Sequence, residues 1–224
     1  MMSYLNAVRA VIWKDLTAEW RTRENLSSML VFALLVILIF NFALELDIQA
    51  QESLSAGVLW ATFIFAGTIG LNRSMAVEKD RGCLDGMLLA PVDRSVIYFG
   101  KAIGNLIFML LVEIIVLPIY SFLYSVPVFQ PGFLLVVLLG SVGYVAVGTL
   151  LATMVIQVRT RDILLPILLF PLTLPVIIAA VKASQGFLQM VPLADLSAWL
   201  NLLIVYDLIF TSVAFMVFDY VVEE

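Results

Sequence analysis

The sequence predicts an all-α integral membrane protein with six transmembrane helices, an N-terminal amphipathic helix and a short cytoplasmic helix. Of the 224 residues, 63% are hydrophobic and 13% are charged, and the mean hydropathy is +1.09. These values lie outside the range of soluble domains. Because stretches that could span a bilayer make up more than half of the chain, we expect a single membrane domain over residues 1–224. The stretches are 26–44, 55–76, 97–124, 132–157, 163–182 and 199–221.

The positive charges alternate with these apolar stretches. Every Lys and Arg except Lys182 lies before the first stretch, in the connection between the second and third or at the ends of those stretches that adjoin it, or between the fourth and fifth. Under the positive-inside rule these three segments are cytoplasmic, which also places both chain ends there. The net charge of -5 therefore does not show that the positive charges are concentrated on one side of the membrane, and it does not indicate a basic partner. We expect contacts with membrane lipid and none with nucleic acid.

The first element is a juxtamembrane helix over residues 3–22. Apolar residues recur there at steps of three and four, the period of an amphipathic helix: Leu5, Val8, Ile12, Leu16 and Trp20. Arg9 and Glu19 fall within the apolar arc on a helical wheel. Two placements therefore stay open: a helix lying at the membrane interface, and a plain helix packed on the rest of the protein.

The third and fifth apolar stretches have features of their own. The third is longer than the hydrocarbon core of a bilayer, so we expect it to tilt, to kink near Pro118, or to protrude at the end that carries Lys101. The fifth contains three prolines that disturb the helical hydrogen-bond ladder: Pro166, Pro171 and Pro175. We expect that segment to be bent to fit its neighbours, or broken as a hinge or a substrate-lining element.

Several chemistries are absent from the sequence. There is no histidine, which removes His-containing metal sites, the usual general base and the commonest haem ligand. The only Gly-Lys pair, Gly100-Lys101, is followed by Ala102, so the phosphate-binding loop of many ATPases is missing. The lone cysteine, Cys83, is expected to be a reduced thiol. We expect no catalytic residues and no metal site.

Two carboxyl groups lie deep in predicted spans, Glu113 in the third and Asp207 in the sixth. A charged carboxylate at mid-membrane is costly, and no intramembrane base is available to pair with either. We expect hydrogen bonds to Tyr120, Tyr206 or Thr211, or contact with a wet cavity. A role in a conduit or proton step and a structural hydrogen bond between helices both remain open.

The most distinctive motif is the loop between the second and third spans, residues 78–91. Leu84, Met87 and Leu88 share one face of a short helix, while Glu78, Lys79, Arg81 and Asp85 are expected to face water. Pro91 ends the run and Asp93 is expected to cap the following helix. The pattern predicts a docking element for a protein groove, with a helix resting on lipid headgroups as the alternative.

This loop resembles the coupling segment of type-2 ABC exporter permeases, through which a separate cytoplasmic ATPase moves the membrane helices. Within that class the chain is similar to the haem exporter B family, the membrane permeases of the cytochrome c maturation system. The similarity rests on residues 78–101, which include Leu84-Asp85-Gly86-Met87-Leu88-Leu89-Ala90-Pro91, and on Phe170-Pro171-Leu172-Thr173-Leu174-Pro175. The coupling segment, residues 78–91, would then contact the ATPase through Glu78, Asp80, Arg81, Leu84, Asp85, Met87 and Leu88.

The resemblance implies a non-catalytic permease in the bacterial cytoplasmic (inner) membrane. Its implied partners are an ABC ATPase, a haem-handling membrane protein, a periplasmic haem chaperone and a second copy of the chain. No cofactor would bind directly, because ATP would be bound by the ATPase and haem by the partner proteins. Three alternatives remain: a type-2 permease for another cargo, a non-conducting scaffold for haem-handling proteins, and a secondary transporter using Glu113 and Asp207 as proton carriers.

Overall fold

The structure is a computed structural model that describes residues 4–44, 48–80, 82–89, 93–158 and 160–223. These residues form eight helices and no strand: α1 Tyr4–Thr22, α2 Glu24–Leu44, α3 Ile48–Asp80, α4 Cys83–Leu88, α5 Arg94–Tyr124, α6 Pro131–Val155, α7 Arg161–Leu188 and α8 Leu193–Glu223. Six of the helices, α2, α3 and α5 to α8, are long and apolar enough to cross a membrane. The predicted all-α, six-span architecture is confirmed.

The helices extend further than hydropathy predicts. The fifth span continues to Leu188 and the sixth starts at Leu193, because a helix can carry polar residues beyond the apolar segment. As a result Lys182 lies in the body of α7 and not at its outer end.

Two helices form the centre of the bundle. Within the most apolar 18-residue segment of each helix, 72% of the residues are buried in α3 and 67% in α6, compared with 17% in α2 and 22% in α8. Glycines on α6 permit this close packing, as small residues do between transmembrane helices. A Cβ at Gly140 would overlap the Trp60 ring, and one at Gly148 would overlap the Leu71 side chain. The four surrounding spans therefore cover a central α3 and α6 pair.

Helix α5 is continuous through Pro118. Its first two turns do not project freely, since Val96, Ile97, Tyr98, Gly100 and Lys101 are buried. They contact α1 and the end of α8, where Ala214 and Phe218 pack on Ile97 and Tyr98. The length of α5 therefore serves to hold the N-terminal helix and α8 together at one end of the bundle.

Helix α7 runs without interruption through Pro166, Pro171 and Pro175. The expected alternative of a broken segment is therefore not what the structure contains. Pro171 and Pro175 lie on an exposed face of α7. The backbone carbonyls that lose a hydrogen bond to these prolines therefore do not interrupt packing in the core. From the neighbouring helix α8, the Tyr206 hydroxyl donates to the Leu172 carbonyl of α7 at 3.0 Å. Any function of the three prolines remains a prediction.

A single residue joins α1 to α2. Arg23 adopts the left-handed conformation, with φ of 53°, and its amide donates to the Glu19 carbonyl. The Glu19 carboxylate accepts from the Leu26 amide at 2.8 Å, in the first turn of α2. The joint between the two helices is therefore closed by hydrogen bonds on both sides.

Candidate functional site

Four charged side chains meet where α1, α3 and α5 converge, and we call them the buried ion network: Lys14, Asp15, Glu78 and Lys101. The Lys101 ammonium is 2.7 Å from Glu78 Oε1 and 2.9 Å from Asp15 Oδ2. Lys14 lies 2.6 Å from the same Glu78 oxygen and 3.2 Å from Asp15 Oδ1. Lys101 is only 2% exposed and Glu78 only 6%. The network therefore ties the base of the coupling segment to two other helices.

Two glycines of α5 allow α1 to approach closely enough to form this network. A Cβ at Gly100 would lie 2.6 Å from the Val11 side chain, and one at Gly104 would lie 3.4 Å from Asp15 Oδ2. Around them Ala7 and Val8 pack on Val96. The contact thus places an acidic side chain of α1 directly against the α5 backbone.

The electrostatics of the network depend on mutual compensation. A buried lysine loses its hydration, and removing its partners would leave an uncompensated charge in a low dielectric. Burial alone would lower the pKa of Lys14, but the neighbouring Asp15 and Glu78 carboxylates outweigh it, and the net shift raises that pKa. We therefore expect Lys14 to carry its charge throughout the neutral range.

The prediction that Glu78 faces water is wrong. It rested on the amphipathic pattern of the loop alone, which contains no information about Lys14 and Lys101 on other helices. Lys79 is partly buried, and its ammonium donates to the Ile156 carbonyl at 3.0 Å and to Gln157 Oε1 at 2.6 Å, just after α6. Asp80 is the more exposed acid, with its side chain 64% accessible and 3.4 Å from Arg161.

The described part of the coupling segment contains one short helix, α4. Between α3 and α4, Gly82 has φ of 64°, a conformation that suits glycine. Met87 is partly buried against the core, with its sulfur 3.7 Å from the Lys14 ammonium. Leu89, just after α4, is 87% exposed. An apolar side chain is thus free at the tip of the segment.

The other coupling-segment candidates are only partly described. Arg81 lies outside the described residues, and the side chains of Leu84, Asp85 and Leu88 do as well. Beyond the segment, Asp93 accepts from the Ser95 amide at 2.9 Å, and this confirms the predicted cap of α5. Hydrogen bonds from Ser95 lower the pKa of the Asp93 carboxyl.

Helix α1 combines the two placements that the sequence left open. One face is buried against the protein through Ala7, Val8, Asp15 and Glu19. The neighbouring face is apolar and exposed, with Leu5 at 74%, Trp13 at 70% and Trp20 at 78%. Tryptophan at such a position is typical of a membrane interface. Of the predicted apolar stripe, only Val8 belongs to the buried face.

The two intramembrane carboxyl groups lie on either side of α6. Glu113 is 1% exposed and accepts a hydrogen bond from Ser141 of α6. Asp207 is also buried, and a Cβ at Gly143 of α6 would overlap its Oδ1. Within the described residues, Glu113 Oε2 and both Asp207 carboxylate oxygens have no hydrogen-bond partner. The hydrogen bond to Glu113 thus comes from a serine and not from the tyrosines or threonine that we expected.

Sequence reasoning missed Lys14 and Asp15 as site residues. The available signal was Lys101, a lysine at the start of an apolar span, because such a lysine needs carboxylates near it. The sequence could not identify which of many acids would supply them. Within the described residues, no group of three or more Cys, Asp or Glu side chains is placed to hold a metal ion.

Six helices that are long and apolar enough to cross a bilayer define a multi-pass membrane protein. The family model described as CcmB protein matches residues 6–221. The chain therefore belongs to the CcmB protein family.

Curated relatives from three bacteria are named "Heme exporter protein B". The Pseudomonas aeruginosa protein is 25% identical over 210 residues, covering 93% of this chain and 94% of the relative. The Rhodobacter capsulatus protein is 26% identical over 197 residues, covering 85% and 89%. The Bradyrhizobium diazoefficiens protein is 24% identical over 183 residues, covering 81% and 82%. The similarity thus extends over most of both chains.

Proposed function

We propose that this chain is the membrane permease of an ABC-type complex for haem export or haem-chaperone release in cytochrome c biogenesis. A separate ATPase subunit hydrolyses ATP, and this chain is non-catalytic. The family match and the name of the relatives support the haem-export part of the proposal. The positive charges on one side of the spans support an orientation with the coupling segment in the cytoplasm, and we propose that the membrane is the bacterial inner membrane.

The observation that carries the coupling role is the buried ion network. It connects Glu78, at the end of α3, to α1 through Asp15 and to α5 through Lys101. A displacement of α3 at this end stretches the contacts of Lys101 with Glu78 and Asp15, which are largely buried and therefore costly to separate. Movement imposed on the coupling segment is therefore transmitted to α1 and α5 together.

The exposed contacts of the coupling segment are proposed to be those that meet the ATPase. Leu89 offers an apolar side chain, and Asp80 an accessible carboxylate. Arg81, Leu84, Asp85, Met87 and Leu88 remain part of the proposed contact surface. Glu78 acts differently in this proposal, since its side chain faces inward and holds the segment in place.

We further propose that the chain forms a homodimer and works with a haem-handling membrane protein and a periplasmic haem chaperone. Haem is bound by those partners, since this chain has no histidine to ligate its iron. A permease for another cargo and a non-conducting scaffold are the competing functions. The name of the relatives favours haem export over another cargo.

Co-purification with the ATPase tests the coupling role. We expect Leu89→Glu to abolish binding of the ATPase, because the substitution places a charge at the apolar contact. Met190→Glu is the matched control, since Met190 is also apolar and 79% exposed but follows α7 at the opposite end of the bundle. Equal binding by both variants and the unchanged chain would refute docking through the tip of the segment.

Haem staining of covalent c-type cytochromes in cells lacking only this chain tests the biological role. Loss of cytochromes c with accumulation of haem-loaded chaperone is the expected result. Normal cytochromes c would indicate a permease for another cargo. A catalytically dead ATPase that still supports full maturation would favour the scaffold.

A further inference from the structure

A cavity lined largely by polar residues lies beside the buried ion network, between α1, α2, α3 and α5, and it opens to the surface. Its volume is about 60 Å³, and its rim carries the residues Thr22, Glu24 and Arg73. The inner wall consists of buried residues: Asp15, Glu19, Asn25, Glu78, Lys101 and Phe108. A cavity of this size has room for a small ion and a few waters.

Two oxygen atoms in the inner wall lack a hydrogen-bond donor among the described residues. They are Glu78 Oε2 and Asn25 Oδ1, and their residues are 6% and 5% exposed. Asp15 Oδ2 also lacks a well-formed hydrogen bond, although Lys101 Nζ is 2.9 Å away. Leaving a buried acceptor unpaired is costly. Since all three atoms are acceptors, the group that compensates them must be positively charged or donate hydrogen bonds.

The charged residues around the cavity favour binding of one positive charge. Four acids line it, Asp15, Glu19, Glu24 and Glu78, against the two bases Arg73 and Lys101. Lys14 adds a third positive charge from outside the wall through its contacts with Asp15 and Glu78. Four negative and three positive charges leave one negative charge. The Arg73 guanidinium is paired with Glu24 at the rim of the cavity.

We propose that this cavity binds one monovalent inorganic cation, of the K⁺ or Na⁺ class, through oxygens of Asp15, Asn25 and Glu78 together with water. A divalent ion would overcompensate the single net charge. Carboxylate and amide oxygens are hard ligands that suit such ions. The ion would connect α1, α2 and α3 beside the lysines, and this site does not depend on which cargo the complex handles.

A cation titration of the purified chain in lipid nanodiscs tests this proposal. The protein is exchanged into N-methyl-D-glucamine chloride, and KCl or NaCl is substituted at constant total chloride while tryptophan fluorescence reports the Tm. We expect a saturable rise in Tm, since a ligand that binds only the folded state stabilises it. Asn25→Asp should lower the half-saturating concentration about tenfold, because it doubles the net negative charge of the cavity.

Two further variants locate the site. Glu78→Gln should abolish the saturable rise, whereas Asp162→Asn should leave it unchanged. Asp162 offers the same change in charge, but its carboxylate accepts from Asn72 and does not line the cavity. If Glu78→Gln does not fold, Asn25→Asp decides the question, because its expected effect is a gain.

Three results would overturn the proposal. An equal Tm in all three salts would mean that the cavity holds water alone. A rise that Asn25→Asp does not shift would place the ion elsewhere. A rise with methylammonium or guanidinium but with neither alkali ion would mean that the cavity takes an N–H donor, such as an amine or a protein side chain.

Discussion

Replacing Lys101 by methionine tests the energetic importance of the buried ion network. The substitution keeps an unbranched side chain of similar length and removes the ammonium that contacts Asp15 and Glu78 at 2.9 and 2.7 Å. Removing one partner of a buried ion pair costs about 3–5 kcal/mol. Because Lys14 still contacts both carboxylates, we expect a loss near the lower limit, about 3 kcal/mol of unfolding free energy.

Lys14→Met is the matched control. It removes the same charge from the same network, but the Lys14 side chain is 38% exposed, so water already screens it. We expect a loss of about 1 kcal/mol or less, as for pairs near the surface. Combining Lys101→Met with Glu78→Gln should cost less than the sum of the single changes, since the second substitution removes a carboxylate that the first left unpaired.

Equilibrium unfolding in mixed micelles, followed by tryptophan fluorescence, measures these free energies. Equal losses for Lys101→Met and Lys14→Met would refute the reasoning, because burial would then make no difference. Strict additivity in the double variant would also contradict it, since the two side chains would not interact.

Two further predictions concern the way α5 is held. Gly100→Ala would place a Cβ 2.6 Å from Val11 and should lower the free energy of unfolding by about 1–3 kcal/mol through overpacking. Adding Val11→Ala should restore that stability. Gly57→Ala is the control, since its added Cβ would meet no neighbouring atom within 4 Å, and it should leave the free energy of unfolding unchanged in the same assay. Asp93→Ala should cost about 0.5–2 kcal/mol at neutral pH by removing the cap of α5. The folded-state pKa of Asp93 is lowered, so the charged cap stabilises above the ordinary pKa and this contribution is lost as the pH falls through the folded value. If the difference in unfolding free energy between Asp93→Ala and the unchanged chain stayed constant through that acid range, the result would contradict a charged cap.

The sequence was sufficient for the architecture because each span is long and apolar, and the bilayer leaves few other ways to bury such segments. The cap at Asp93 was also predictable, since a cap depends only on residues next to it in the chain. The environment of Glu78 was not predictable in this way. Its partners Lys14 and Lys101 lie on other helices, and the loop has the same amphipathic pattern whether or not they approach.

The apolar periodicity of α1 likewise predicted the helix but not which residues would face the protein. The stripe of apolar residues identified a helix with two unlike faces, but it did not show that Asp15 and Glu19 would belong to the face that packs on the protein. That choice depends on Gly100 and Gly104, which give α5 a surface that α1 can approach. The same limit applies to α7, where the prolines indicate a disturbance but tertiary packing determines whether the helix is interrupted.

The packing of α1 on α5 has a consequence for membrane insertion. Tyr4 and Ser95, whose hydroxyl groups are 3.0 Å apart, are separated by 91 positions in the chain, so α1 is synthesised long before its binding surface exists. Until α5 arrives, α1 can rest on the lipid surface through Leu5, Trp13 and Trp20 while its acids remain in water. When α5 brings Lys101 to the bundle, Asp15 and Glu78 have already been synthesised and can pair with its ammonium. The order of synthesis thus supplies the counter-charges before the lysine that needs them.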